Sequence, residues 1–463
     1  MQRRTLLTGT AALAATAPLP RVAARAQGTK TKITWWHAMT GALGDQVERI
    51  VKTFNASQSE IEVEAIQKGT YPEVMTETIA AWRANKAPHI AQVFDVGTGS
   101  MLQAGPATKQ IWQLIQETGV ALDPDAYIAA VRGYYSLANG KLAALPFNSS
   151  TAVMWYNKDA FSAAGLDPEK PPETWDALRI VLREIKVKLD ADAGKPADQR
   201  AMGGVTMPMT SAWFTWVQYE QFAAIHNIPF ATEDNGFNGL GAVLKLNSQP
   251  MIKQTARFLE MAKEGTFKYT GRDSTPSAVF YSGQAAVCFD SSAGRGNILR
   301  SAKFKWGEAL LPYDPSLIAK PINSIIGGAA LWAMTAKGRT AAEYKAVATF
   351  MKFIGTPEQD MLWGKNTGYI PVTTAGYALT QKQGYYRKPE GAGADVPLTQ
   401  LNRGKVTPLS RGVRLGNLPE IRVIIYEELE KALQGQQDAK QALNNANERG
   451  NKVLRDFQKS ANG

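Results

Sequence analysis

Two arginines three residues apart, Arg411 and Arg414, lie in the glycine-bearing stretch Ser410-Arg411-Gly412-Val413-Arg414-Leu415-Gly416-Asn417. Pro419 follows, at the first turn of what reads as a long amphipathic helix, where the missing proline N–H has no intrahelical partner to lose. A guanidinium offers a rigid fork of donors that fits a carboxylate or a phosphate. The alternative reading of such a pair is a solvated surface feature, because short motifs match by chance.

Other residues could join that chemistry. Trp213 and Trp216 are three apart in an aromatic-dense segment, 211–222, whose pattern predicts a helix with both indoles on one face, as core or as a ligand platform. Ser291 opens the small-residue run Ser291-Ser292-Ala293-Gly294-Arg295-Gly296-Asn297, which would expose main-chain N–H groups to an anion. The pair Gly327-Gly328 would let a ligand approach the backbone closely. His37 has no serine or cysteine nucleophile motif beside it, and His89, His226 and Cys288 show no metal-ligand spacing. Asp95 and Asp290 could be imagined as an acid–base pair, although nothing in the sequence brings them together. The Ser291 run lacks a P-loop lysine, which argues against nucleotide binding. No catalytic residue, metal or cofactor is expected.

The elements that must position these groups alternate. Strand-like Ile33-Thr34-Trp35-Trp36 precedes a helix carrying Val47, Ile50, Val51 and Phe54, then comes 61–66, a helix from Tyr71, and the apolar strand 90–94 ending at Asp95. Alternation of this kind predicts an α/β fold with mainly parallel sheets covered on both faces. Ligands of such sheets sit beyond the carboxyl ends of the strands, where His37, Tyr71 and Asp95 fall. Segment 190–209 reads as a polar insertion without clear period. The helical C-terminus has a stop at Gly435 and a capping-box-like restart at Asp438 and Gln441.

At 463 residues the chain exceeds what one hydrophobic core usually serves. Residues 1–26 contain Arg3, Arg4, a short apolar run and Ala24-Arg25-Ala26, the layout of a secretory signal. The adjacent arginines suggest the twin-arginine variant. Loss of that segment removes four arginines and takes the formal charge from +11 to +7, without a block of like charges, which argues poorly for nucleic acid. The single Cys288 cannot form an intramolecular disulfide, so an exported protein of this sequence depends on its core.

Several motifs in register carry a resemblance: Lys68-Gly69-Thr70-Tyr71, Gln92-Val93-Phe94-Asp95-Val96-Gly97-Thr98, Pro146-Phe147-Asn148-Ser149-Ser150-Thr151, Ile325-Ile326-Gly327-Gly328-Ala329, Thr367-Gly368-Tyr369-Ile370-Pro371 and Arg414-Leu415-Gly416-Asn417. From about Ile33 to Phe457 the chain resembles the extracytoplasmic solute-binding proteins of ABC importers. The resemblance is to the maltose-binding-protein-like cluster and, within that, to the branch that binds glycerol-3-phosphate. The resemblance implies a type II two-lobed fold, with lobe one formed by 28–149 and 292–368 and lobe two by 150–291 and 369–463. Hinge crossings are expected at 146–156, 285–292 and 368–372.

By the same resemblance, Tyr71, Ser150, Ser291, Gly328, Tyr369 and Arg414 would hold a phosphate and anchor the backbone, while Asp95, Trp213 and Trp216 would face the glycerol end. The family usually has glutamate where this chain has Asp95, and a side chain shorter by one methylene withdraws the carboxylate by about 1.5 Å. The implied function is non-enzymatic capture of glycerol-3-phosphate or a glycerophosphodiester such as glycerophosphocholine. The ligand would pass to a membrane ABC permease with its ATPase subunits. A periplasmic monomer is expected. The alternatives are a sugar or oligosaccharide binder, which would leave an arginine unpaired, and an exported phosphodiester hydrolase.

Overall fold

The computed structural model describes residues 30–462, so the expected leader at 1–26 lies outside the described residues. Ten strands are labelled in chain order: β1 Thr31–His37, β2 Ile61–Gln67, β3 Ile90–Phe94, β4 Thr108–Lys109, β5 Leu145–Ser150, β6 Ala152–Asn157, β7 Met207–Ser211, β8 Ala285–Ser291, β9 Trp306–Ala309 and β10 Gly327–Met334. They form two sheets. The first runs β2-β1-β3-β10-β4 with β5 also paired to β10, and the second runs β7-β8-β6-β9.

Burial explains the strand types. In β1 the side chains alternate, with Ile33, Trp35 and His37 inward, whereas β3, β5 and β6 are buried at every position because helices cover both faces. The helix Gly41–Ser57 turns Val47, Ile50 and Phe54 into the core while Val51 is only half-buried. Phe54 and Trp35 both meet Phe350 edge-on, which fastens the helix Ala341–Ile354 to the first sheet.

The α/β expectation holds, but the sheets are mixed rather than mainly parallel. Pairs β1–β2, β1–β3 and β7–β8 are parallel, while β10 runs antiparallel to β3, β4 and β5, and β6 antiparallel to β8 and β9. The cause is the route of the chain. Strand β10 enters the first sheet from the other half, at the end where β3 leaves it, and must therefore run against β3: Ala329 pairs with Phe94.

Domain limits shift for the same reason. β9 pairs with β6 in the second sheet, so the chain returns to the first sheet between 309 and 327 rather than at 292. The end of β8 does not cross, although it touches a crossing, because Ser292 N–H donates to the Thr151 carbonyl at 2.9 Å. Thr151 alone separates β5 from β6. Its hydroxyl donates to the Ile325 carbonyl at 2.8 Å, and Gln221 grips Ile325 at both its N–H (3.0 Å) and its carbonyl (2.9 Å). Ile370 N–H donates to the Ser149 carbonyl at 2.9 Å, so three crossings are bound side by side.

The insertion is shorter than expected, since Met207 already begins β7. Asp192 organises it by accepting from Met202 N–H at 2.8 Å and Lys195 Nζ at 3.0 Å. Among the described residues no helix is long and apolar enough to cross a membrane, and no group of three or more His, Cys, Asp or Glu could hold a metal ion.

Candidate ligand-binding site

Topology gathers the candidate residues at one edge of the first sheet. Asp95 follows β3, Tyr71 opens the helix Tyr71–Arg83, Gly327 and Gly328 start β10, and Ser149 and Ser150 end β5 opposite them. Gly328 has φ of 101°, and a Cβ there would overlap the Asn148 carbonyl oxygen, so both backbone conformation and space demand glycine.

Tyr369 meets Tyr71 from the other side of the crossing. The two hydroxyl oxygens are 3.3 Å apart. Tyr71 stacks on Phe94 with ring centroids at 5.6 Å, and Tyr369 stacks on Trp363 at 5.7 Å, so neither phenol is free to swing. Asn148 Nδ2 donates to the Tyr71 hydroxyl at 2.8 Å. Burial raises the pKa of both tyrosines, the proximity of Tyr369 adds to the rise at Tyr71, and both remain phenols at neutral pH.

Asp95 lies beside a second charged group. Its carboxylate oxygen is 4.0 Å from Arg422 Nη2, and the same guanidinium makes a two-pronged contact with Glu220, Nε to Oε1 at 2.7 Å and Nη2 to Oε2 at 2.8 Å. Burial pushes the Asp95 pKa up to about 7, against the pull of Arg422 and with the help of Glu220. For Arg422, burial acts to lower the pKa, yet Glu220 by charge and hydrogen bond, and then Asp95, hold it above its ordinary value. Neither Arg422 nor Glu220 was singled out from sequence. The available signal was a charge inside an apolar run, Ile421-Arg422-Val423-Ile424 and Val217-Gln218-Tyr219-Glu220, where a buried ion needs a partner.

The tryptophans do not share a helical face. Trp213 lies ahead of the helical turns with a left-handed φ of 47°, its N–H donating to the Asp273 carbonyl at 2.7 Å. Trp216 begins a π-helical stretch, Trp216–Gln221, which rotates it away from i, i+3 alignment. Its indole packs on Gly327 of the opposite sheet, where any Cβ would collide with it, and its Nε1 is buried without a hydrogen-bond partner among the described residues. Ser150 is buried beside Gly327, and Ser291 Oγ accepts from Ala293 N–H at 3.1 Å, capping the turn that follows.

Arg414 is held elsewhere. Its Nη1 donates to the carbonyls of Tyr134 (3.2 Å) and Ser136 (2.6 Å), and its Cζ lies 4.2 Å from the centroid of Phe237. Arg411 covers Phe237 at 4.3 Å and donates to the Gly133 carbonyl at 3.2 Å, so it is not merely solvated. Both arginines cap the carbonyl end of the short helix Ala129–Tyr134.

The remaining titratable candidates have structural partners. His37 Nδ1 accepts from Met39 N–H at 3.2 Å, and burial lowers its pKa to about 4. His89 contacts Thr34 and Glu343, and His226 contacts the Phe222 carbonyl and Asp314 N–H. Cys288 is fully buried and burial raises its thiol pKa. Asp290 accepts from Ser291 N–H at 2.6 Å and from Tyr281 at 3.4 Å.

Residues 49–389 match the family described as bacterial extracellular solute-binding protein. The sn-glycerol-3-phosphate-binding periplasmic protein of Pectobacterium atrosepticum is 40% identical over 431 residues, 93% of this chain and 93% of its own length. The protein of that name from Salmonella paratyphi A is 41% identical over 432 residues, 93% of this chain and 94% of its own. Among solved structures, UgpB of Mycobacterium tuberculosis in complex with glycerophosphocholine superposes with a TM-score of 0.74 at 22% identity, covering 93% of this chain and 99% of that one. The cyclic alpha-maltosyl-1,6-maltose binding protein of Arthrobacter globiformis gives 0.70 at 22%, covering 92% and 100%. At that identity these two likenesses carry the two-lobed fold alone. With the sequence relatives and the matched segment, they establish that this chain belongs to the bacterial extracellular solute-binding protein family.

Proposed function

We propose that the protein captures glycerol-3-phosphate or a glycerophosphodiester between its two lobes and delivers it to a membrane ABC permease driven by ATPase subunits. The observation that carries this reading is the cluster of donors at the sheet edge. Tyr71 and Tyr369, brought from distant parts of the chain to 3.3 Å, stand with a buried arginine at the Asp95 end. Relatives 40% and 41% identical over nearly the whole chain are named for binding glycerol-3-phosphate, which supports the same class of ligand.

In this reading Arg422 replaces Arg414 as the arginine of the ligand site. Tyr71, Tyr369, Ser150, Ser291 and the backbone at Gly328 receive the phosphate. Asp95, as an acceptor, takes polyol hydroxyls, and the indoles of Trp213 and Trp216 cover the carbon face. Lobe one comprises 30–150 and 327–368, lobe two 152–309 and 369–462. A ligand touching both stabilises the closed form by its differential affinity for that state. The protein acts as a monomer in the periplasm and does not turn its ligand over.

Calorimetric titration with glycerol-3-phosphate, glycerophosphocholine, inorganic phosphate and maltose tests the reading. Heat from the phosphate esters supports it, and heat from maltose alone overturns it. Steady release of choline from glycerophosphocholine would establish a hydrolase instead.

A further inference from the structure

Below the tyrosine pair a line of buried amides runs back into the first sheet. Ala38 N–H donates to Gln92 Oε1 at 2.8 Å, Gln92 Nε2 donates to Asn148 Oδ1 at 2.9 Å, and Asn148 Nδ2 donates to the Tyr71 hydroxyl at 2.8 Å. The direction of this line is set at its start. A main-chain N–H can only donate, so Gln92 must turn its carbonyl oxygen to Ala38 and its amino group to Asn148. Asn148 must then turn its own oxygen to Gln92 and its amino group to Tyr71. Gln92 and Asn148 are fully buried, so bulk solvent does not compete for their hydrogen bonds.

The consequence falls on Tyr71. Its oxygen already accepts from Asn148, so its proton must point away, toward Tyr369 or a molecule between the lobes. The 3.3 Å separation from Tyr369 exceeds the usual O–H···O length of about 2.7–2.8 Å, so that partner does not bind the proton tightly. A phosphate oxygen, which only accepts, fits this donor. A sugar hydroxyl can accept this proton too, but it must then find another acceptor for its own, because the Tyr71 oxygen already accepts from Asn148.

We propose that Asn148, oriented by Gln92, is a positioning residue that fixes Tyr71 as a hydrogen-bond donor and selects an acceptor-only anionic group over a hydroxyl-bearing one. The inference rests on the phosphate-ester reading for its ligand, but the orientation of the amides does not.

The test uses the full mature chain with Asn148→Ala, Tyr71→Phe and both together, titrated with glycerol-3-phosphate. Asn148→Ala should weaken binding about tenfold, the scale of one hydrogen bond to a charged group, and should weaken it no further in the Tyr71→Phe background. A tenfold loss that persists in that background overturns the proposal, because Asn148 would then act other than through Tyr71. So does wild-type affinity in Asn148→Ala.

A second readout needs no ligand. In 15N-labelled protein the Asn148 side-chain amide protons should shift on Tyr71→Phe and on Gln92→Ala. Unmoved resonances overturn the relay. Shifted resonances in a protein that binds no phosphate ester preserve the relay and discard the ligand class.

Discussion

Arg422 faces two carboxylates at once: Glu220 at 2.7 Å, in the helical stretch Trp216–Gln221, and Asp95 at 4.0 Å, just beyond the end of β3. One guanidinium therefore ties the end of β3 to the helix Leu418–Leu433 and is, among the described residues, the one positive charge paired with Asp95. Removing it by Arg422→Ala strands two buried acids, a change that costs about 3–5 kcal/mol in comparable pairs. Melting temperature should fall by several degrees and glycerol-3-phosphate affinity by at least about a hundredfold, or roughly 3 kcal/mol. Arg422→Lys keeps the charge and loses the fork, so it should recover stability better than affinity. An Arg422→Lys protein with full affinity places the ligand away from this arginine.

Asp95 makes stability depend on pH. Its folded pKa of about 7 lies above the ordinary value of 3.8, so the folded state holds this proton more tightly than the unfolded chain. The sign follows from linkage. The contribution is fully present below about 4, where both states are protonated, and is lost as pH rises through about 7. The slope is at most about 1.4 kcal/mol per pH unit. Urea denaturation of the ligand-free protein at pH 4.5 and 7.5 should show a loss with rising pH that is smaller in Asp95→Asn. Asp290, Asp360 and Glu308 are also raised by burial and act in the same direction, so the difference between wild type and Asp95→Asn is the quantity to read. Equal slopes would show that Asp95 titrates normally.

The sequence was most informative where local pattern and burial coincide. The edge position of Tyr71 and Asp95 followed from strand–helix alternation, whereas the paired glycines, read as room for a ligand, are required by the Asn148 carbonyl at Gly328 and the Trp216 indole at Gly327. What stayed hidden depends on distant pairing. Nothing local places β9 in the second sheet, because its register with β6 spans about 150 residues of chain. The spacing of Trp213 and Trp216 was misleading because a left-handed residue and a π-helical stretch break the α-helical period. Arg414 and Arg422 are both arginines near a helix start, and only the carbonyls of Tyr134 and Ser136 on one side and Asp95 on the other distinguish them.

Trp213 stores backbone strain. A bulky residue at φ of 47° costs about 1–3 kcal/mol and persists only where its surroundings hold it. Trp213→Gly relieves the strain and removes the indole, so the two effects separate. Unfolding free energy should stay level or rise by about 1 kcal/mol, while glycerophosphocholine affinity falls about tenfold or more. A large loss of stability with unchanged affinity would assign Trp213 to the core.

The loop bearing Arg411 and Arg414 directs both onto main-chain carbonyls, which on the proposed lobe division makes closure, rather than ligand contact, the property it should affect. These arginines hold the carbonyls of Gly133, Tyr134 and Ser136, and Asn417 N–H donates to Ser100 Oγ at 3.0 Å, the acceptors all lying in the segment proposed as lobe one. Tyr134 answers from lobe one, its hydroxyl donating to the Val413 carbonyl at 2.7 Å. On the proposed lobe division these contacts span the two lobes, so opening would break them and they would favour the closed state with or without ligand. Apparent affinity scales with the closed fraction, so weakening the latch weakens binding without touching the site. Arg411→Ala with Arg414→Ala should enlarge the ligand-free radius of gyration in small-angle scattering. It should leave the ligand-bound radius unchanged and reduce glycerol-3-phosphate affinity several-fold, mainly through faster release. Abolished binding at an unchanged ligand-free radius would return Arg414 to the ligand site.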